Sequence, residues 1–287
     1  MQEKKRGRMH SRWLLPAALV LAGAAWFENF TLSTSTVTAA CAALPEAFSG
    51  LRIVQISDLH GRRFDAESRY LLELVRLQSP DLIALTGDLA DEFTDFSMLP
   101  PLLDGLTALA PTFYVTGNHE WVLSREKREA LFSMLDAAGV VRLQNEYRLL
   151  KKGQASIVLA GVDDPNGPYD QKRPAQLVRE IRQSRGRDAY ILMLSHRNDE
   201  LDLWANMGVQ TVLCGHGHGG IVRLPFVGAV FGTHLDLFPD YTAGLYQKGQ
   251  TSMIVSRGLG GSRKLPLRIG NRPEIVTVIL KAESGKV

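Results

Sequence analysis

Five of the seven histidines in this 287-residue chain fall in short clusters whose residue types suit a metal centre. Asp58-Leu59-His60 is followed by Gly87-Asp88, Gly117-Asn118-His119-Glu120, Ser195-His196 and Gly215-His216-Gly217-His218. Imidazole suits Zn, Fe or Mn and carboxylate suits harder ions, so this mixed set points to two first-row divalent ions. Such a pair, about 3.5–4 Å apart, can clamp a phosphoryl group and acidify a bridging water. One carboxylate must serve both ions, and Asp88 is the candidate because it stands alone in its cluster. Asp58 and His60, two residues apart, can reach one ion only if the strand has ended and the backbone turns; Gly61 permits that turn.

The elements that must position these side chains are apolar runs read as buried strands. Leu51–Ser57, Leu82–Thr86, Thr112–Val115, Tyr190–Leu194 and Thr211–Leu213 each precede one cluster, with at most one residue between. Strands of this kind build the sheet of an α/β domain, whose ligands bind along the carboxyl edge. Amphipathic spacing predicts helices over Ala66–Leu77, Phe96–Leu109, Ser124–Ala138, Ala175–Gln183 and Glu200–Met207. Further strands are predicted over Phe30–Leu44, Ser156–Val162, Ser252–Ser256 and Glu274–Leu280. A chain that is 45% apolar and 22% charged can bury one full core, so residues 30–287 are read as a single domain.

The five clusters in this order resemble the calcineurin-like metallophosphoesterase family, whose pattern is D-x-H, G-D, G-N-H-(D/E), H and G-H-x-H. The resemblance covers Leu51 to Leu280 and implies an α/β fold of two mixed sheets packed as a sandwich, flanked by helices. It implies that one metal takes Asp58, His60, Asp88 and His218, and the other takes Asp88, Asn118, His196 and His216. It leaves His119 off the metals, as the acid that protonates the leaving oxygen or as a transition-state contact. Asp91 matches a position that orients this histidine, although an Asp after a strand is equally a helix N-cap. The implied reaction is phosphoester hydrolysis by attack of metal-held hydroxide. The Arg-Gly that follows this acid in protein phosphatases is replaced by Glu92-Phe93. That departure favours a phosphodiester or pyrophosphate-type bond over a phosphoprotein. A UDP-diacylglucosamine hydrolase is the alternative enzyme, and a metal-blind interaction scaffold the alternative class; the intact ligand positions argue against the scaffold.

Net charge is +3, and Lys4, Lys5, Arg6, Arg8 and Arg12 supply much of it against Glu3. The remainder is near neutral, so no nucleic-acid surface is expected. These basic residues precede an uncharged run of fifteen residues, Trp13–Phe27. As a helix it would rise about 22 Å, short of the roughly 30 Å hydrocarbon core. That suits an uncleaved signal anchor or a signal segment over residues 1–29, at the cytoplasmic membrane, with the catalytic domain outside. Among other candidates, Asp163 and Asp164 read as turn residues before Pro165, and Cys214 as a small buried residue. His234 reads as a loop residue. Arg257, Arg263, Lys264 and Arg268 form a basic group suited to phosphate or to a solvated surface. Phe226–Tyr241 carries many apolar residues and few charges, so it is either a loop folded on itself or a rim that meets lipid. Gly219–Pro225, with Ser256–Gly260 and Arg272–Ile275, resembles a membrane-associated bacterial subgroup of the same family.

Overall fold

The computed structural model describes residues 25–233, 235–261 and 268–283, together with residues 16, 19, 22 and 23. The apolar runs form two six-stranded sheets. The first has the order β1 (Ser33–Cys41), β14 (Glu274–Ala282), β2 (Arg52–Ile56), β3 (Leu82–Thr86), β4 (Thr112–Val115) and β5 (Val141–Arg142). Strands β2 to β5 run parallel, and β14 lies antiparallel to β2. The second has the order β12 (Gly244–Lys248), β13 (Thr251–Val255), β9 (Thr211–Cys214), β8 (Ile191–Leu194), β7 (Ala155–Gly161) and β6 (Glu146–Lys152). Its four inner strands are parallel and its two edges antiparallel. A separate hairpin joins β10 (Val222–Leu224) to β11 (Gly228–Phe231).

Successive strand residues point to opposite faces, and both faces of each sheet are covered. Ile53, Ala84 and Phe113 meet Leu159, Leu192 and Leu213 in a core between the sheets. The neighbouring Val54 and Leu85 turn outward against Leu71, Leu102 and Leu131 of the helices Arg69–Leu77, Leu99–Leu109 and Arg125–Ala137. On the far side Val158, Met193 and Val212 pack against Ile181 and Trp204 of Pro174–Arg185 and Leu201–Asn206. The result is the helix–sheet–sheet–helix sandwich anticipated from the resemblance.

The strand predicted over Phe30–Leu44 is shorter than expected. Residues 25–30 are helical, Thr31 donates its N–H and hydroxyl back to the carbonyl of Phe27, and pairing with β14 begins at Ser33. Most of Trp13–Phe27 lies outside the described residues, as do His10, His234, Arg263 and Lys264. Among the described residues no helix is long and apolar enough to cross a membrane.

Candidate metal centre

Strands β2, β3 and β4 of the first sheet and β8 and β9 of the second end at one common edge, and the five clusters leave from those ends. Asp58, His60, Asp88, His216 and His218 all have left-handed backbone, with φ between 48° and 66°. Such φ is uncommon outside glycine and marks sites where the surroundings impose a costly conformation. The turn anticipated between Asp58 and His60 is therefore present, and the same device recurs at three other donors. Two glycines are required by close approach. A Cβ at Gly215 would strike Ser57 Oγ and Asp58 Oδ2, and one at Gly117 would strike Asp88 Oδ1.

Donor atoms gather in three overlapping groups, each spanning no more than 4.8 Å: Asp58, His60 and His218; Asp88, His196 and His216; and His60, Asp88 and His119. Asp88 lies at the centre. Its Oδ1 accepts the His119 N–H at 2.8 Å, while Oδ2 stands 3.2 Å from His196 Nε2 and 3.7 Å from His60 Nε2. Asn118 Oδ1 is 3.1 Å from His196 Nε2, and His216 Nδ1 is 3.2 Å from the same nitrogen. His218 Nε2 lies 3.6 Å from Asp58 Oδ1. The structure thus brings together every residue read from the sequence as a metal donor. It also places His119, ring centroid 4.7 Å from that of His60, close enough to be counted geometrically as a donor.

The donor set fits a pair of divalent ions on its own chemistry. Both ring nitrogens of His60 and Nδ1 of His218 are buried without a hydrogen-bond partner, a costly state for a polar atom unless something else engages it. Burial pushes His60 down to about 4, His218 to about 3 and His216 to about 2, so these rings stand neutral with lone pairs available. His196 behaves oppositely. Burial would lower it, but Asp88 and Asp58 outweigh that and raise it to about 10. Asp88 is in turn held below its usual range despite its burial, chiefly by His196 and His60. This pocket demands positive charge, and a bound ion would take the place of that proton. His196 Nδ1 can only donate to the carbonyl of Thr86, 2.8 Å away across the sheet interface, which turns Nε2 toward Asp88.

Three outer residues differ from the sequence reading. Asp91 was expected to orient His119; instead Oδ1 accepts from Phe93 N and Thr94 Oγ1, and Oδ2 lies 3.9 Å from His60 Nδ1. Its contact is therefore with His60. Glu120, passed over in the sequence, is fully buried and accepts from the backbone N–H of Gly117, Asp88 and Leu89 at 2.7, 3.0 and 2.7 Å. Hydrogen bonds to a charged acceptor contribute about 1.5–3 kcal/mol each, so this carboxylate ties the Asp88 and Asn118 loops together. Burial first and Asp88 second raise Glu120 to about 7, against the pull of those N–H groups. Asp164 makes the turn read for it, its Oδ1 accepting from Asn166 N at 2.9 Å, and does more. It clamps Arg197 through Nε–Oδ2 at 2.6 Å and Nη2–Oδ1 at 3.1 Å, and Arg197 Nη1 stands 3.0 Å from His216 Nε2. The signal for this arginine was its place directly after His196.

Other expectations shift as well. Arg257 is paired with Glu274 at 3.0 Å, and the buried Arg268 donates to the carbonyls of Gly260 and Arg257, so both are occupied in structure. The Gly258–Gly260 loop covers Asp58, with Leu259 N donating to Ser57 O and Gly260 N to Asp58 O. Cys214 is, as expected, a small buried residue, its Sγ 3.5 Å from the Ile254 carbonyl.

Comparison with known proteins agrees with this geometry. The family model described as calcineurin-like phosphoesterase matches residues 51–220. The uncharacterized metallophosphoesterase YkuE of Bacillus subtilis is 31% identical over 267 residues, covering 90% of this chain and 89% of that protein. Phosphodiesterase YaeI of Escherichia coli is 31% identical over 234 residues, covering 80% and 82%. A transmembrane protein with metallophosphoesterase domain from Danio rerio is 26% identical over 253 residues, covering 83% of this chain and 55% of that protein. The chain belongs to the calcineurin-like phosphoesterase family, and it is a metal-dependent phosphoester hydrolase.

Proposed function

We propose that the chain hydrolyses a phosphodiester or pyrophosphate-type bond, lipid-linked esters among its substrates, at two divalent ions (Mn, Fe or Zn). The observation that carries this reading is Asp88 Oδ2 standing between His60 and His196, one histidine from each donor group. Asp58, His60, Asp88 and His218 would hold one ion, and Asp88, Asn118, His196 and His216 the other. Two ions so held supply Lewis acidity to the phosphoryl group and to the attacking water. His119 protonates the leaving oxygen, and its backbone N–H fixes the shared carboxylate. Asp91 stands beside His60, with 3.9 Å between its Oδ2 and Nδ1, and supplies negative charge there. Arg197, held from behind by Asp164, is placed to take a phosphoryl oxygen.

The diester preference rests on Glu92-Phe93 in place of Arg-Gly, and YaeI carries the name phosphodiesterase. Purified protein with Mn(II), Fe(II) or Zn(II) should cleave bis-p-nitrophenyl phosphate faster than p-nitrophenyl phosphate, and a chelator should stop it. Faster cleavage of the monoester would remove the diester preference. No hydrolysis with any of the three metals would remove the reading itself.

We also propose that residues 1–29 anchor the protein in the cytoplasmic membrane with the domain of residues 30–287 outside. Basic residues before Trp13 favour a cytoplasmic N-terminus, and the Danio rerio relative is named a transmembrane protein. A reporter fused after Val287 should score as extracytoplasmic. A cytoplasmic signal would reverse the topology.

A further inference from the structure

Two exposed apolar segments, nearly two hundred residues apart in sequence, are tied to the consecutive residues Arg268 and Ile269. The first is the β10–β11 hairpin, which leaves directly from the Gly-His-Gly-His loop. At its apex Val227 N donates to Leu224 O across Pro225-Phe226, and Phe226 has φ +65°. Proline followed by a left-handed residue is the pattern of a type II turn, where glycine or asparagine ordinarily takes the second place. Here an aromatic takes it, and Phe226 is fully exposed. The chain then folds back with Phe231 opposite Leu237 and Phe238 N donating to Val230 O. Phe238 is left-handed too, and Leu237 and Phe238 stand 63% and 64% exposed. The loop is therefore not folded over a hydrophobic cluster of its own.

The second segment is the helical stretch 25–30, with Trp26 60%, Phe27 47% and Phe30 58% exposed. Residues Arg268 and Ile269 join the two. Ile269 bridges to Val222 and accepts from Arg223 N, while Arg268 exchanges hydrogen bonds with the Asn29 side chain at 2.8 and 3.0 Å. The exposed Ile269 thus stands beside the hairpin, next in sequence to the residue that ties down the helical stretch, whose Phe27 and Phe30 lie under the guanidinium groups of Arg272 and Arg62. Exposed apolar patches mark interaction surfaces.

We infer that this face, the β10–β11 hairpin with residues 25–30, lies on a lipid bilayer and opens the metal cleft toward it. The bilayer is the occupant because residues 25–30, on this face, follow in sequence directly from the uncharged run that begins at Trp13 and is preceded by five basic residues. Tryptophan is enriched at the membrane–water interface, and Trp26 stands exposed on this face. The cleft lies at the same place. A cavity of about 340 Å³ beside the donors is lined by Asp199 and His216 and by Thr233, Asp236, Asp240 and Tyr241 of the segment following the hairpin. A phosphoester carried by a membrane lipid would reach the donor groups along that wall without leaving the surface. This inference rests on the proposed hydrolase and deepens it by naming where its substrate resides.

The test uses the full chain in vesicles of phosphatidylcholine and phosphatidylglycerol. Native Cys41 and Cys214 are buried, so Phe226→Cys, Phe238→Cys and Leu77→Cys can each carry an environment-sensitive fluorophore. Leu77 is the control, because it lies beside Gln78, which contacts Arg52 at the opposite end of β2. A face buried about 5–10 Å into the headgroup boundary should let spin-labelled lipid quench the labels at 226 and 238 about twofold or more, with no change at 77. Vesicle-bound protein with all three labels unquenched would overturn the inference and leave the anchor standing. Fluorescence that shifts with protein concentration and not with quencher would assign the face to a second copy of the chain, which also overturns it. Metal-dependent hydrolysis of the soluble diester by the same labelled samples reports separately on the hydrolase reading.

Discussion

Asp88→Asn should leave a folded protein that holds fewer than two ions and has lost its turnover. The geometry explains why an isosteric change is so damaging. Oδ1 accepts the His119 N–H, so an amide would keep its oxygen there and turn its NH2 toward His60 and His196. Two hydrogens would then point at the place where both donor groups need negative charge. Losing an outer-sphere partner of a metal ligand already costs roughly 10–100-fold in affinity, and loss of the shared donor should exceed that. Metal analysis together with diester turnover makes the measurement. An active variant with two tightly held ions would refute the shared role.

His119→Ala should do the reverse, keeping two ions while turnover falls by about 10²–10⁴-fold, the usual contribution of general acid–base assistance. The loss should be smaller for nitrophenyl esters than for alkyl esters, because a good leaving group needs little protonation. This experiment also decides a question the geometry raises, since His119 lies in one donor group with His60 and Asp88. If one equivalent of metal disappears with the imidazole, His119 is a ligand and the acid role falls.

The parallel strands of both sheets were legible because a strand buried on two faces must be apolar throughout. Leu82–Thr86 and Thr112–Val115 match their predicted bounds to the residue. The donors were legible because each cluster begins where such a run stops. What escaped notice is settled by contacts between chain segments far apart. Nothing in Gly-Asn-His-Glu announces that Glu120 will reach back to the N–H groups of Asp88 and Leu89 on a different loop. Asp164 and Arg197 are 33 residues apart and meet only once the loops after β7 and β8 lie side by side. Asp91 was assigned by analogy with a motif, yet its carboxylate is oriented by its own turn through Phe93 and Thr94. The strand read from Phe30 overran its true start at Ser33 because alternating small residues there carry a strand signal, while Phe30 still belongs to the helix that precedes it.

Neither sheet owns a complete set of donors. Asp58, His60, Asp88 and Asn118 ride on the first, His196, His216 and His218 on the second, and both groups of the proposed ion pair draw on each. The spacing of the ions is then set by how far apart two slabs of aliphatic side chains hold their backbones. Leu159, Leu192 and Leu213 facing Ile53, Ala84 and Phe113 act as a ruler for the chemistry at the rim. Interiors packed as densely as crystals transmit a change of one methylene as displacement, and a misplacement of about 1 Å can cost 10²-fold in rate. For this enzyme the catalytic machinery extends, in a mechanical sense, down into a core that no substrate ever touches.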